Sequence, residues 1–185
     1  LGVVGTGKIG AEMIRIARGF GMKIVAFDLY QNEKLASEHN FPYLSLEDLL
    51  KRSDVVTLHL PLTPSTENLI GHEALRSMKE GSILINTARG KIVDETALRE
   101  ALDSGRLAAA GLDVIDDEGH PENDPLIGSH RTVITPHIGF YTKESINRIF
   151  EHAVQTIDAF RSGKLEDEIP LEYLRKIKMH THPQD

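Results

Sequence analysis

A Gly-x-Gly-x-x-Gly turn at the start of the chain constrains the fold more than any other feature. Gly5, Gly7 and Gly10 sit between a short apolar run, Leu1-Gly2-Val3-Val4, and an amphipathic one. That order reads as a strand, a tight turn and a helix whose N-terminus receives a pyrophosphate. Gly5 permits the turn, Gly7 lets the backbone approach phosphates, and Gly10 lets the helix lie close on the strand. The unpaired N–H groups and the dipole of the helix favour the anion. Three glycines in six residues also occur in ordinary loops, so the flanking context has to decide. Ile9, Met13, Ile16, Ala17 and Phe20 recur at helical spacing. A second apolar run, Ile24-Val25-Ala26-Phe27, ends in Asp28, 18 residues beyond Gly10. A carboxylate there accepts hydrogen bonds from adenosine ribose hydroxyls and repels the 2′-phosphate of NADP. No arginine follows it in Leu29-Tyr30-Gln31, so NAD is the expected cofactor.

The length of 185 residues suits one domain with a substantial core, and 40% hydrophobic with 26% charged residues argues against disorder. The net charge is −7 and no basic tract occurs, which argues against nucleic acid and anionic membrane as partners. There is no cysteine, so disulfides, thiolate catalysis and cysteine metal sites are out; a reducing, cytoplasmic setting is expected. No apolar run approaches the ~20 residues of a membrane span, and no signal-peptide pattern opens the chain. The chain begins inside a strand, so that last point carries little weight.

After Asp28 the residues from 33 to 40 predict a short helix ended by Phe41-Pro42. Ser45 is placed to cap a helix with Leu46, Leu49 and Leu50 facing inward. Val55 to Leu58 reads as a buried strand running into the rigid His59-Leu60-Pro61-Leu62-Thr63-Pro64 loop. A helix from His72 to Met78, a strand from Ser82 to Asn86 and the loop Thr87-Ala88-Arg89-Gly90 follow. Asp94 is placed to cap a helix carrying Leu98, Ala101 and Leu102, with Gly105 past its end. Ala108 to Val114 predicts a strand containing Asp113, and Ile115 to Ser129 a polar loop. Thr132-Val133-Ile134 is the last strand. Thr142 then opens a long helix with Ile146, Ile149, Phe150, Ala153, Ile157 and Phe160 on one face. Leu171 to Ile177 is a short amphipathic piece, and His180, His182 and Pro183 read as a frayed end rather than a metal site. Six strands alternating with helices predict an α/β fold, a doubly wound parallel sheet with a C-terminal helical extension.

The loops at strand C-termini offer Arg89, Asp113, Glu118 and His137. Each has an innocent reading as a surface, loop or packed residue. As a set they make chemical sense. Arg89 is suited to a two-point grip on a carboxylate. His137 is suited to exchanging a proton with a hydroxyl or carbonyl oxygen while hydride moves at a nicotinamide. A carboxylate beside that imidazole, which Glu118 can supply, favours its protonated form and fixes the ring. The sequence holds no metal-ligand cluster, so carbonyl polarisation falls to the imidazolium and the guanidinium.

Gly5-Thr6-Gly7-Lys8-Ile9-Gly10, Asn86-Thr87-Ala88-Arg89-Gly90, Gly111-Leu112-Asp113-Val114 and Pro136-His137-Ile138-Gly139, in this order and spacing, resemble the signatures of the D-isomer-specific 2-hydroxyacid dehydrogenases. The resemblance implies a Rossmann-type fold and reversible oxidation of a D-2-hydroxy acid to a 2-oxo acid with NAD. It implies Arg89 as the substrate-binding arginine, Glu118 as the family glutamate and His137 as the acid/base. Cofactor contacts are implied at Gly5, Gly7, Lys8, Ile9, Gly10, Asp28, Leu60, Pro61, Thr66, Thr87, Ala88, Arg89 and Asp113, the last near the nicotinamide amide. Phe140-Tyr141-Thr142 is similar to the D-lactate dehydrogenase branch. The family builds its substrate domain from both chain ends, so residues 1–162 are expected to form the NAD-binding domain and 163–185 a remnant of the substrate domain, whose N-terminal part this chain lacks. The chain alone is then expected to bind NAD and turn over poorly. The family is usually dimeric, so a homodimer is expected, with a small 2-hydroxy or 2-oxo acid as substrate. The alternative is a non-catalytic, NAD(H)-sensing module like the family's co-repressors.

Overall fold

The computed structural model describes residues 1–164. The predicted remnant at 163–185 therefore falls outside the described residues except at its first two positions, as do Leu171 to Ile177, His180, His182 and Pro183. The chain divides into two units, Leu1–Gly139 and Phe140–Asp185.

The first unit is one six-stranded parallel sheet. Its strands are β1 (Gly2–Val4), β2 (Val25–Phe27), β3 (Val55–Leu58), β4 (Ser82–Asn86), β5 (Leu107–Leu112) and β6 (Thr132–Ile134), in spatial order β2-β1-β3-β4-β5-β6. The helices are α1 (Lys8–Gly19), α2 (Glu33–His39), α3 (Leu46–Arg52), α4 (His72–Ser77) and α5 (Glu95–Asp103). Alternate residues of β1 face opposite layers. Val3 packs with Ile14, Ala17, Ile24, Ala26 and Leu35, in the layer of α1 and α2. Val4 packs with Leu49, Leu50, Leu75, Leu98 and Leu102, in the layer of α3, α4 and α5. These are the two faces of a doubly wound sheet.

The caps follow local chemistry. Asn32, Ser45 and Asp94 accept from the backbone N–H groups of Leu35, Asp48 and Ala97 at 3.0, 3.1 and 3.0 Å. Gly105 sits at φ +75° beyond α5, the conformation that favours glycine after a helix.

The structure modifies the reading of α1. Of the apolar series Ile9, Met13, Ile16, Ala17 and Phe20, only Ala17 is buried; the buried line is Gly10, Ile14 and Ala17. Ile16 and Phe20 are 55% and 81% exposed. The helix must bring Gly10 against the turn, and that contact sets its rotation about its axis.

The strands end in register. Phe27, Val4, Leu58, Asn86, Leu112 and Ile134 form one row across the sheet. The next residue in each case, Asp28, Gly5, His59, Thr87, Asp113 and Thr135, therefore lies on one carboxyl edge. Five strand gaps at about 4.8 Å each make that edge roughly 24 Å long. Successive strands are added in one direction from β1 to β2 and in the other from β3 onward, so the gap between β1 and β3 is the switch point where open α/β sheets bind ligands.

In the second unit, α6 (Lys143–Arg161) is capped by Thr142, whose hydroxyl accepts from the Ser145 N–H at 3.1 Å. None of its residues is buried.

Candidate active site

The glycine turn has three separate steric reasons for its three glycines. Gly5 stands at φ +92°, and a Cβ there would lie 2.7 Å from the His59 carbonyl oxygen. A Cβ at Gly10 would overlap the Gly5 carbonyl oxygen. A Cβ at Gly7 would meet no protein atom within 4 Å. The protein itself thus does not demand a glycine at 7, whereas a ligand lying against the backbone would. Gly7 is also the N-cap of α1, and no side chain caps that helix. Donors left without a side-chain partner at a helix N-terminus fit a pyrophosphate. Lys8 and Ile9 follow, both exposed.

Asp28 reaches back from β2 to this turn. One carboxylate oxygen accepts from the Thr6 N–H at 2.6 Å and the other from the Tyr30 N–H at 2.9 Å.

Ile9, Leu60, Pro61, Thr87, Ala88 and Arg89 share one cleft of about 360 Å³ with His59. Burial pushes the His59 imidazole below its ordinary value, and its Nε2 lies 3.0 Å from the Thr57 hydroxyl. Burial thus favours its neutral form. Thr66 does not line this cleft; its hydroxyl donates to the Pro61 carbonyl at 2.7 Å and accepts from the Thr63 N–H at 2.8 Å. It shapes the loop that carries Leu60 and Pro61. The β4 loop is held by Asn86, which is 1% exposed. Its Oδ1 accepts from the Ala88 N–H at 3.0 Å and its Nδ2 donates to the Arg89 carbonyl at 2.9 Å. Arg89 itself is exposed, with Nη1 on the Ala88 carbonyl at 2.6 Å.

Two strands further along the edge, Asp113, Glu118 and His137 line a second cavity of about 360 Å³ with the apolar Ile115 and Ile134. Glu118 places Oε1 and Oε2 2.9 and 3.0 Å from His137 Nδ1. His137 sits at φ +52°, a left-handed conformation uncommon outside glycine. Asp113 explains how it is held. Its carboxylate accepts from the N–H groups of Ile138 at 3.0 Å and Gly139 at 2.8 Å and from the Thr135 hydroxyl. The His137 N–H donates to the Asp113 carbonyl at 2.8 Å. Burial pushes the Asp113 carboxyl up. The hydrogen bonds from Thr135, Gly139 and Ile138, with the His137 imidazole nearby, outweigh it and leave the group below the usual carboxylate range.

The structure thus brings together Asp113, Glu118 and His137 in one cavity. It sets Ile9, Leu60, Pro61, Thr87, Ala88 and Arg89 in another, and Asp28 beside the glycine turn. The reading of isolated loops missed Thr6, Asn86 and Thr135 as residues that hold these groups. Each stands inside or next to a motif, which was the available signal. Among the described residues, no cluster of His, Asp or Glu is arranged to hold a metal ion, and no helix is long and apolar enough to cross a membrane.

A parallel sheet with a glycine turn after β1, a carboxylate closing β2 and polar loops along its carboxyl edge defines a dinucleotide-binding domain of Rossmann type. The chain belongs to the D-isomer-specific 2-hydroxyacid dehydrogenases: the model of the family's NAD-binding domain matches residues 1–139. It is 42% identical over 178 residues to a glyoxylate reductase of Korarchaeum cryptofilum, covering 96% of this chain and 54% of that protein. It is 42% identical over 163 residues to a hydroxypyruvate reductase of Blautia hydrogenotrophica, covering 88% and 50%. Among solved structures, a D-lactate dehydrogenase of Aquifex aeolicus complexed with NAD and lactic acid superposes with a TM-score of 0.80 at 38% identity, over 99% of this chain and 57% of that one. The chain spans about half the length of the curated relatives it matches.

Proposed function

We propose that this chain forms the cofactor-binding half of an NAD-dependent dehydrogenase that interconverts a D-2-hydroxy acid and its 2-oxo acid. The observation that carries the reading is the Glu118–His137 pair, set on the same sheet edge as the glycine turn. When bound, NAD supplies the hydride acceptor, and NADH the donor. Gly5, Gly7 and Gly10, with Lys8 and Ile9, receive the pyrophosphate, and Asp28 accepts from the ribose hydroxyls. Leu60, Pro61, Thr87 and Ala88 line the path of the dinucleotide, Thr66 acts through the loop that carries Leu60 and Pro61, and Asp113 lies at the nicotinamide amide. Arg89 grips the substrate carboxylate with paired N–H donors. Glu118 beside Nδ1 holds the ring and fixes that nitrogen as the donor, so His137 exchanges its proton with the substrate oxygen through Nε2. In the reductive direction the imidazolium gives its proton to the carbonyl oxygen; in the oxidative direction the neutral ring takes it from the hydroxyl.

The substrate class is a small 2-oxo acid, supported by similarity to glyoxylate and hydroxypyruvate reductases and to D-lactate dehydrogenases. Residues 1–162 act as the NAD-binding domain and 163–185 as a remnant of the substrate domain. The protein works as a cytoplasmic homodimer without nucleic acid or membrane partners. A non-catalytic, NAD(H)-sensing role is not favoured, since the relatives above are reductases and dehydrogenases.

The test is NADH oxidation by the full-length protein with glyoxylate, hydroxypyruvate and pyruvate. His137→Ala is expected to lower turnover at least about a hundredfold, the scale of general acid–base catalysis, with NAD affinity within a few-fold. Turnover that survives the change overturns the assignment.

A further inference from the structure

A chain of hydroxyl groups reaches Asp28 from behind the glycine turn. Tyr43 forms a parallel bridge with Ala26 of β2, and its ring meets Phe41 edge-on at 5.4 Å. Its phenol oxygen lies 3.0 Å from the Asn32 N–H donor and 2.9 Å from the Thr6 hydroxyl. The Thr6 hydroxyl in turn lies 3.1 Å from the Asp28 carboxylate oxygen that also accepts from the Thr6 N–H. Proton counting fixes the direction. A carboxylate only accepts, a backbone N–H only donates, and each hydroxyl has one proton. Asn32 therefore donates to Tyr43, Tyr43 to Thr6, and Thr6 to Asp28. Each hydroxyl is used once as donor and once as acceptor. Thr6 is 6% exposed, so loss of the Tyr43 hydroxyl takes away the donor its oxygen accepts from at a place shielded from water.

We propose that the Tyr43–Thr6 relay is a positioning device that sets the Asp28 carboxylate for discrimination between NAD and NADP. It holds the anion in one orientation before a dinucleotide arrives. A ribose 2′-hydroxyl then meets a fixed acceptor, and a 2′-phosphate meets a fixed charge. The relay also ties three segments that the cofactor must span: the glycine turn, the end of β2 and the start of α2, where Asn32 caps the helix through Oδ1. The inference rests on the reading of Asp28 as the ribose acceptor.

Calorimetric titration of the chain with NAD and with NADP tests it. Tyr43→Phe and Thr6→Val are expected to weaken NAD binding roughly threefold to tenfold, the scale of one hydrogen bond. NADP binding should change less, so the preference narrows, while Thr6→Ser keeps the hydroxyl and should behave like the parent. Asp28→Ala should narrow the preference further. If Asp28→Ala narrows it and Tyr43→Phe leaves it unchanged, the relay is overturned and the ribose reading stands. If Asp28→Ala leaves it unchanged, the ribose reading falls and the relay with it. Equal losses of both affinities in Tyr43→Phe, with a lower melting temperature, would mark a purely structural tyrosine and also overturn the relay.

Discussion

Gly7 and Gly10 stand three residues apart in one turn, yet they are glycines for different reasons. At Gly10 the constraint is internal, because any side chain would strike the Gly5 carbonyl. At Gly7 the space is open, and the constraint comes from what approaches. The two substitutions should therefore separate stability from binding. Gly10→Ala is expected to cost about 1–3 kcal/mol of folding stability, as overpacking does. Gly7→Ala is expected to stay within about 1 kcal/mol, the cost of a poorer N-cap, while NAD affinity falls at least tenfold. Denaturant titration and calorimetry on both variants check this. Loss of stability in Gly7→Ala comparable to that in Gly10→Ala would show that the turn is crowded at both positions. A similar division holds at the other end of the site. His137 is presented by a strained turn, and the strain is held by Asp113, 24 residues earlier, through donors at 138 and 139.

Helix α5 shows how one element's electrostatics depend on a loop. Glu95 stands in its first turn, where the dipole favours a carboxylate. Its Oε1 accepts from the Asp116 N–H at 2.7 Å, which ties down the start of the loop carrying Glu118. Burial, together with the negative charges of Asp124 and Asp116, nevertheless raises this carboxyl from 4.5 to about 7. The sign follows from linkage. Between about pH 4.5 and about pH 7 the unfolded chain has lost the proton and the folded chain keeps it. The unfolded state then binds fewer protons, so the stability contributed by this group falls as pH rises through that window. Glu95→Gln keeps the acceptor for Asp116 and removes the titration. Its melting temperature relative to the parent should climb from pH 4.5 to pH 8, and a difference that stays constant with pH would exclude Glu95 as the titrating group.

At the scale of the molecule, the nucleotide-binding features all lie within the unit Leu1–Gly139. The chain by itself should therefore bind NAD. Saturation at a hundred times the dissociation constant should stabilise it by about 2.7 kcal/mol, from mass action on the folded state alone. A thermal shift with NAD and a much smaller one with NADP is the expected result; no shift with either would mean that the glycine turn is not competent alone. The register of the strand ends carries this argument. It converts six sequence-distant loops into one edge, on which the Arg89 loop after β4 and the His137 turn after β6 both lie.

The alternation of strands and helices, the caps at Ser45, Asp94 and Thr142, the glycine turn and the loops that bear Arg89, Glu118 and His137 are all legible in the order of residues along the chain. These depend on residues within one or two turns of each other, so propensity, spacing and side-chain chemistry suffice. Which side of α1 is buried is settled by the folded packing alone, through the contact between Gly10 and the Gly5 carbonyl. The same packing sets β1 between β2 and β3 and joins Thr6 to Asp28 and Tyr43, 22 and 37 residues away. Hydrogen bonds across such separations form when the sheet has closed, and no local pattern in the chain encodes which donors will meet which acceptors.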